Sequence, residues 1–548
     1  MSTQEIPGTN LPDRPSGPTG DQSVSNKQES FSGKVIRNTL FNVVGSLWSI
    51  AIRFFMAKYI FDHIGNERHG VWFVVGILTG YFGLLDFGLA RSFDKFFAEY
   101  HTKRDYDRFN KVFNIGFVFY FLFSVITIGV IFLLYEPLMS MLGLSRDRVS
   151  TELFQESAFA MIGSVIIFGL GMSTSVFGMM MIGLQRMDIF NKISISFSIL
   201  GAVGTLIVLE AGYGLRGLVV NNGIIVVLGG AVNVMAAYHL VPTLKFNPFM
   251  AEWEMFRKMF NFGTKLQVAK LANLLAFQLN TWLISAFLHV GMVTPYGFAT
   301  GFIGSIRNVL LMLPSAVIPA TSELESRNEK ERSLEFYDRG TRYLVLFGTP
   351  ICTFSIVTAS LVMLAWLGPE YKLLTESVWV VKILAIGYYA NLSTGVATGV
   401  AVGMGKPEYE MKFGVMLAIF SLVLCFGLVY FIGFYGPAVG STISLTVCAL
   451  YFYKLFHRYL KQPMIPFLTR MYGMPILIST LAGLVISVLQ WQLVNTFEPV
   501  SRLPILAVII LEGLVFSALY IFLILRTSYM DAYDLNLFRR YLEKFGLR

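Results

Sequence analysis

The stretch GLQRMDIFNK (Gly183–Lys192) returns 220 positions later as GMGKPEYEMK (Gly403–Lys412). The glycine, a base (Arg186, Lys406), an acid (Asp188, Glu408) and the closing lysine keep their order, and each stretch joins two long apolar runs. Two further pairs follow the same register. HIGNERHGVW (His63–Trp72) resembles HVGMVTPYGF (His289–Phe298), and YGLRG (Tyr213–Gly217) resembles YGPAVG (Tyr435–Gly440), each with one gap. Three matches in one order, at offsets of about 220 to 226, mark an internal repeat.

The material between these hinges is membrane material. The chain has 548 residues, 55% of them hydrophobic and 14% charged, where a soluble domain is about a quarter charged. Apolar runs of roughly 18 to 25 residues recur, long enough to cross about 30 Å of hydrocarbon as helices. A barrel would show short alternating segments instead. We therefore predict an all-α polytopic protein of about 14 transmembrane helices: a six-helix lobe over 38–240, a second over 262–456, and two extra spans at 472–492 and 503–526. The expected divisions are a disordered cytoplasmic tail at 1–33, an N-lobe at 34–245, a C-lobe at 246–460, spans 13 and 14 within 461–526, and a cytoplasmic amphipathic tail at 527–548. Six helices is an even number, so the two repeats run parallel about an axis along the membrane normal.

The net charge of +9 is a topology signal. Lysine and arginine concentrate in Arg91–Lys111, Arg327–Arg342, Lys454–Arg470 and the tail after Arg526. All of these fall on one side when the N-terminus is placed in the cytoplasm, so both termini are expected there. Those faces can meet anionic lipid heads, and nucleic-acid binding is set aside. No signal peptide is read, because the first apolar run is full length. The loops on the other side are all short, which leaves no place for a catalytic domain. Cys352, Cys425 and Cys448 lie inside apolar runs and read as small buried hydrophobes. No histidine or cysteine pattern suggests a metal, and no cofactor is expected. GYGLRG joins two spans rather than a strand and a helix, so it is no dinucleotide fingerprint. The NLS sequon at Asn391 lies within an apolar run.

Polar residues inside the spans are costly and mark wet interiors. In span 1, Asn42, Ser46, Ser49 and Arg53 continue a stripe from Asn38 within an arc of about 80°. Span 7, its repeat counterpart, carries Gln267, Lys270, Asn273, Gln278 and Asn280 on a wider polar face. A cavity between two lobes would require this of equivalent helices; hydrogen bonding within a lobe is the other reading. Arg53, Lys270 and Arg307 lie toward mid-span, whereas Lys58, Lys265 and Lys382 are near enough to the ends to snorkel. Asp86 reads as a partner for a nearby base such as Arg91 or for helix-terminal backbone. Glu512 in span 14 is a mid-membrane acid that fits either ion coupling or a counter-ion role. The balance at mid-membrane is cationic, which suits an anion, and arginine suits a phosphate held by two hydrogen bonds.

From about residue 34 to residue 526 the chain resembles the polysaccharide transporter branch of the superfamily that includes the MATE exporters. The resemblance rests on the repeated hinges, on YFGLLDFGLARSFDKFFAEY (Tyr81–Tyr100) with its LLDFG opening, on the six-plus-six-plus-two layout and on the basic loops. It implies a flippase in a bacterial plasma membrane. The implied cargo is a polyprenyl-pyrophosphate-linked oligosaccharide for O-antigen, capsule or exopolysaccharide assembly, moved by alternating access. Its implied partners are that lipid-linked substrate, membrane lipids and other polysaccharide assembly proteins. It carries the role of pyrophosphate ligand to Arg53 and Arg307, and it implies a tail groove shaped by spans 13 and 14. The alternative is a MATE-like ion-coupled antiporter of organic cations, against which Arg53 stands where those exporters place an acid. An enzyme is not expected.

Overall fold

The computed structural model describes residues 31–82, 89–312, 314, 317–327, 329–369, 371, 373–497, 502–531 and 534. Most of the 1–33 tail, Asp86 and the amphipathic stretch beyond Asp534 lie outside the described residues. The described chain is helical: α1 (Phe31–Phe82), α2 (Leu89–Thr102), α3 (Tyr106–Met141), α4 (Thr151–Gly183), α5 (Met187–Glu210), α6 (Gly214–Leu240), α7 (Trp253–Phe287), α8 (Val293–Leu310), α9 (Val317–Ser326), α10 (Lys330–Leu367), α11 (Leu374–Ser393), α12 (Gly395–Gly403), α13 (Glu408–Ile432), α14 (Gly436–Leu460), α15 (Met464–Phe497) and α16 (Arg502–Leu525).

The fourteen predicted spans map onto these helices. α1 carries the first two spans, turned at Gly65 with φ 77°. α11 with α12 makes one span, interrupted at Thr394, and α9 stands where the repeat places the counterpart of α2. α2 is no span. Its Phe93, Phe96, Phe97 and Tyr100 are buried while its basic side stays outward, as an amphipathic helix on a membrane surface requires.

The repeat is visible in how helices end. After α4, the Gln185 N–H bonds to the Ile182 carbonyl and the Arg186 N–H to that of Met181; after α12, Gly405 bonds to Val402 and Lys406 to Ala401. The same helix-terminating motif, which closes several other helices here as well, stands at matching points of the two repeats, with Gln185 (φ 59°) and Gly405 (φ 72°) in the left-handed position it demands. Packing repeats as well. α3–α4, α4–α6 and α5–α6 in the first lobe correspond to α10–α11, α11–α14 and α13–α14 in the second, and α1–α5 corresponds to α7–α13. α15 and α16 lie against α10.

Several polar groups in the lobes pair across helices. Ser124 donates to the Gly169 carbonyl at 2.9 Å, joining α3 to α4. In the second lobe α11 and α14 are joined by Thr442, which donates to the Ile383 carbonyl at 2.8 Å. All three cysteines are buried and unbridged, as predicted.

Candidate functional site

The two lobes touch at the end opposite the basic loops. There Asn66 donates to the Gly291 carbonyl at 2.8 Å, and Thr294 donates back to the Asn66 carbonyl at 2.7 Å. Arg148 reaches the Ala286 carbonyl at 2.7 Å and the Trp282 indole the Met141 carbonyl at 3.1 Å. Contact is so close that a Cβ added at Gly70 would lie 2.3 Å from the Val290 carbonyl oxygen. Nearer the membrane centre, Trp366 donates to the Phe54 carbonyl at 3.0 Å and stacks on the Phe54 ring at 3.8 Å. Toward the basic end, α7 crosses to the first lobe, where Ser92 of α2 donates to the Met259 carbonyl at 2.7 Å.

Inward from the sealed end lies Arg307. It is about 21 Å along α8 from Val293, three residues before that helix stops. Its Nε and Nη2 donate to Asn391 Oδ1 at 3.1 and 2.7 Å. The guanidinium sits over the Phe277 ring at 4.3 Å and 5.8 Å from the Tyr388 ring. Among the described residues no carboxylate pairs with it. One amide oxygen occupies two of its five N–H donors, so its charge is steered but not neutralised.

Both helices that supply this pair are broken beside it. α8 gives way after Leu310, and α9 starts at Val317; α11 ends at Ser393 and α12 starts at Gly395. The breaks face each other, because a Cβ at Gly395 would meet the Pro314 ring at 3.2 Å. Thr394 closes its own break by donating to the Asn391 carbonyl at 2.8 Å. Discontinuous helices at mid-membrane are a recurrent way for transporters to build a polar site.

The other predicted residues are placed as follows. Arg53, Asn42, Ser46 and Ser49 lie on α1, and Lys270 and Asn273 on α7, in unbroken helix that preserves the register of the stripes. Their side chains lie outside the described residues. Arg53 is about 18 Å along α1 from Gly65, a depth close to that of Arg307. Asn280 is buried and donates to Ser441 Oγ at 2.7 Å, tying α7 to α14. Gln278 faces the other lobe: a Cβ at Gly80 would lie 3.4 Å from its Oε1. Glu512 is 0% exposed, and neither carboxyl oxygen finds a hydrogen-bond partner among the described residues. Lys58 pairs with Asp62, and Lys382 lies over the Trp379 ring at 5.2 Å.

Sequence reasoning missed Asn391. Its one signal was a lone amide within an apolar run. The resemblance implied a tail groove shaped by spans 13 and 14; the structure has a groove of about 790 Å³ lined by span 14 (α16) with α8 and α10 instead of span 13, whose walls include Phe302, Ile306, Phe347, Phe354, Phe516 and Ile521. It follows α10 from Tyr343 to Val362, about 28 Å of helix, and shares the wall of α8 immediately before Arg307. A second cavity of about 750 Å³ lies inside the first lobe against Trp72, Phe73 and Asn222.

Comparison with known proteins agrees with this architecture. A protein of Shigella flexneri that carries the provisional name O-antigen transporter is 21% identical over 432 residues, covering 77% of this chain and 98% of its own. An inward-facing MATE multidrug resistance transporter superposes with a TM-score of 0.64 at 14% identity, covering 77% of this chain and 94% of its own. The lipid II flippase MurJ, in an inward closed conformation, also superposes at 0.64, with 13% identity, 90% of this chain and all of its own. The family model described as polysaccharide biosynthesis protein matches residues 35–325. A sequence match over more than half the chain, together with the fold of MATE and MurJ proteins, means that this chain belongs to the polysaccharide biosynthesis protein family.

Proposed function

We propose that the protein is a flippase of the bacterial plasma membrane, with both termini cytoplasmic, that moves polyprenyl-pyrophosphate-linked oligosaccharide units outward by alternating access. The units would serve surface polysaccharide assembly: O-antigen, capsule or exopolysaccharide. The observation that carries this reading is Arg307, a cation steered by Asn391 and two aromatic faces and not balanced by an acid among the described residues. A pyrophosphate can take the donors that Asn391 leaves open. Arg53, Lys270, Asn42, Ser46, Ser49 and Asn273 remain the partners we assign to that head group, with Asn280 supporting the helix that bears them. The seal at the end opposite the basic loops supports entry of the head group from the cytoplasmic side, and the α8–α10–α16 groove supports a route for the prenyl tail. Membrane lipids and other polysaccharide assembly proteins complete the expected partners, and no covalent step is assigned.

The family membership and the Shigella relative support the cargo class. A MATE-like antiport of organic cations has one observation in its favour, the buried acid Glu512, for which ion coupling is the role that reading would assign. The test is transbilayer movement of a pyrophosphate-linked polyprenyl oligosaccharide in proteoliposomes. Movement by the wild type, lost in Arg307→Ala and Arg53→Ala with folding intact, supports the flippase. Absence of movement with several donor sugars and an imposed ion gradient, alongside efflux of an organic cation dependent on Glu512, overturns it.

A further inference from the structure

At its basic end the apolar groove stops at Tyr343, Met530 and Asp534. Beside this stop, Arg342 of α10 gives Nη1 to Asp531 Oδ2 at 3.0 Å and to Asp534 Oδ2 at 2.9 Å, and the Tyr343 hydroxyl donates to Asp534 Oδ1 at 2.6 Å. Arg339, one turn earlier, brings Nη1 to 4.0 Å from Asp534 Oδ1. Two bases and a phenol thus converge on Asp534, which is 3% exposed. A long apolar channel ends, without a gap, in an acid held where an anionic head would sit if an apolar chain filled the groove.

The geometry points to a second anion site, formed by Arg339, Arg342 and Tyr343, that captures the phosphate end of a polyprenyl phosphate lipid and is occupied in this state by Asp531 and Asp534 as internal stand-ins. This inference rests on the flippase reading for its ligand. Three features carry it. The donors match a phosphate: two guanidinium groups and a hydroxyl can donate to the oxygens of a carboxylate or of a phosphate alike. The groove matches one long chain, since its apolar wall runs about 28 Å along α10 from those donors. Among the described residues the acids follow α16 directly and are tied to the rest of the protein by these contacts and by Tyr529, which is buried against Ile478 and Tyr520 and donates to the Met471 carbonyl at 2.9 Å. Displacement of the segment exchanges two carboxylates for the phosphate without leaving the arginines unpaired. Because the groove shares α8 with Arg307, a lipid seated here holds its tail beside the helix that carries the central cation.

The test is binding to the full-length protein in detergent by native mass spectrometry, with undecaprenyl phosphate as the probe and undecaprenol and phosphatidylglycerol as comparison lipids. Asp534→Asn and, separately, the more exposed Asp531→Asn are expected to tighten undecaprenyl phosphate binding at least about threefold by removing a competing charge. Arg342→Gln is expected to weaken it by a similar factor, and undecaprenol is expected to respond to none of the three. Unchanged binding of undecaprenyl phosphate in both aspartate variants overturns the site. An equal gain for phosphatidylglycerol overturns its assignment to the polyprenyl lipid, and loss of fold in Asp534→Asn leaves Asp531→Asn to decide. Binding is read without transport, so a protein that binds as expected but moves no oligosaccharide refutes the flippase reading and not this site.

Discussion

Arg307 and Asn391, 84 positions apart in the chain, meet where two broken helices face each other, and a single amide oxygen there receives two guanidinium hydrogen bonds. The pairing is neutral on one side, so the arginine keeps its charge for another ligand. Asn391→Asp would replace that amide with a carboxylate of nearly the same shape. A charge-assisted pair is expected to raise the melting temperature, by an amount equivalent to about 1–2 kcal/mol. It is also expected to weaken binding of a pyrophosphate lipid at least about tenfold, because the charge is then spent. Asn391→Ala should lower both stability and binding. Thermal unfolding and lipid binding on the same preparations separate the two effects.

Gly70 is the point where closure of the lobes is tightest. A methyl group there has no room against the Val290 carbonyl while the seal is made, and the clash is with backbone, which cannot swing aside. Gly70→Ala is therefore expected to shift the population toward the state open at that end. Spin labels on the two lobes should report longer distances across the seal than in the wild type.

The matched hinges make a paired prediction. Gln185 carries a side chain in the left-handed position where Gly405 carries none. Gln185→Gly should stabilise by about 0.5–1 kcal/mol, and Gly405→Ala should destabilise by about 1 kcal/mol. Thermal unfolding of the two variants checks both signs.

Much of this architecture was legible in the sequence for a physical reason. A helix-terminating turn needs a special backbone position and polar flanks, so GLQR and GMGK announce themselves, and a cation such as Arg307 stands out in an apolar run. Asn391 did not, because one amide in a span has the same signature whether it bridges helices or serves a site. Asn280 illustrates the other half of that ambiguity, since the fold gives it to Ser441. The helix breaks near Pro314 and Thr394 were read as continuous spans, because hydropathy does not sense where hydrogen bonding lapses. The groove came only from the resemblance, and its lining could not be read from the residues for a related reason: Phe347 or Ile521 reads alike whether it faces lipid chains or a channel between helices.

Glu512 is buried among apolar side chains with both oxygens unpartnered among the described residues. Leaving a buried polar group unpaired costs about 1–3 kcal/mol. Glu512→Leu is accordingly expected to raise the melting temperature, and transport measured on the same variant separates a working acid, whose loss abolishes it, from a packing element. A variant that is more stable and fully active would show that the acid does no work.

Asp531 gives a pH dependence with a defined sign. The Asp534 backbone N–H, and then the Arg342 guanidinium, hold its carboxyl below the ordinary value of 3.8. A depressed value in the folded protein means that this tether contributes above pH 3.8 and is lost as pH falls through the folded value. Protection of residues 526–531 against hydrogen exchange, relative to the intrinsic rate at each pH, should fall on acidification below about pH 4, and Asp531→Asn should remove that fall.

The two lobes share a plan but not a stiffness. α4 runs unbroken for 33 residues, while its counterpart is divided at Thr394 between α11 and α12. An unbroken rod turns as one piece; a jointed one can bend at its joint. Motion in this protein therefore need not be a symmetric rocking of equal halves. The first lobe would act as a lever and the second as the flexing member, with its joint at Arg307, so that what occupies the arginine also sets the angle of the joint.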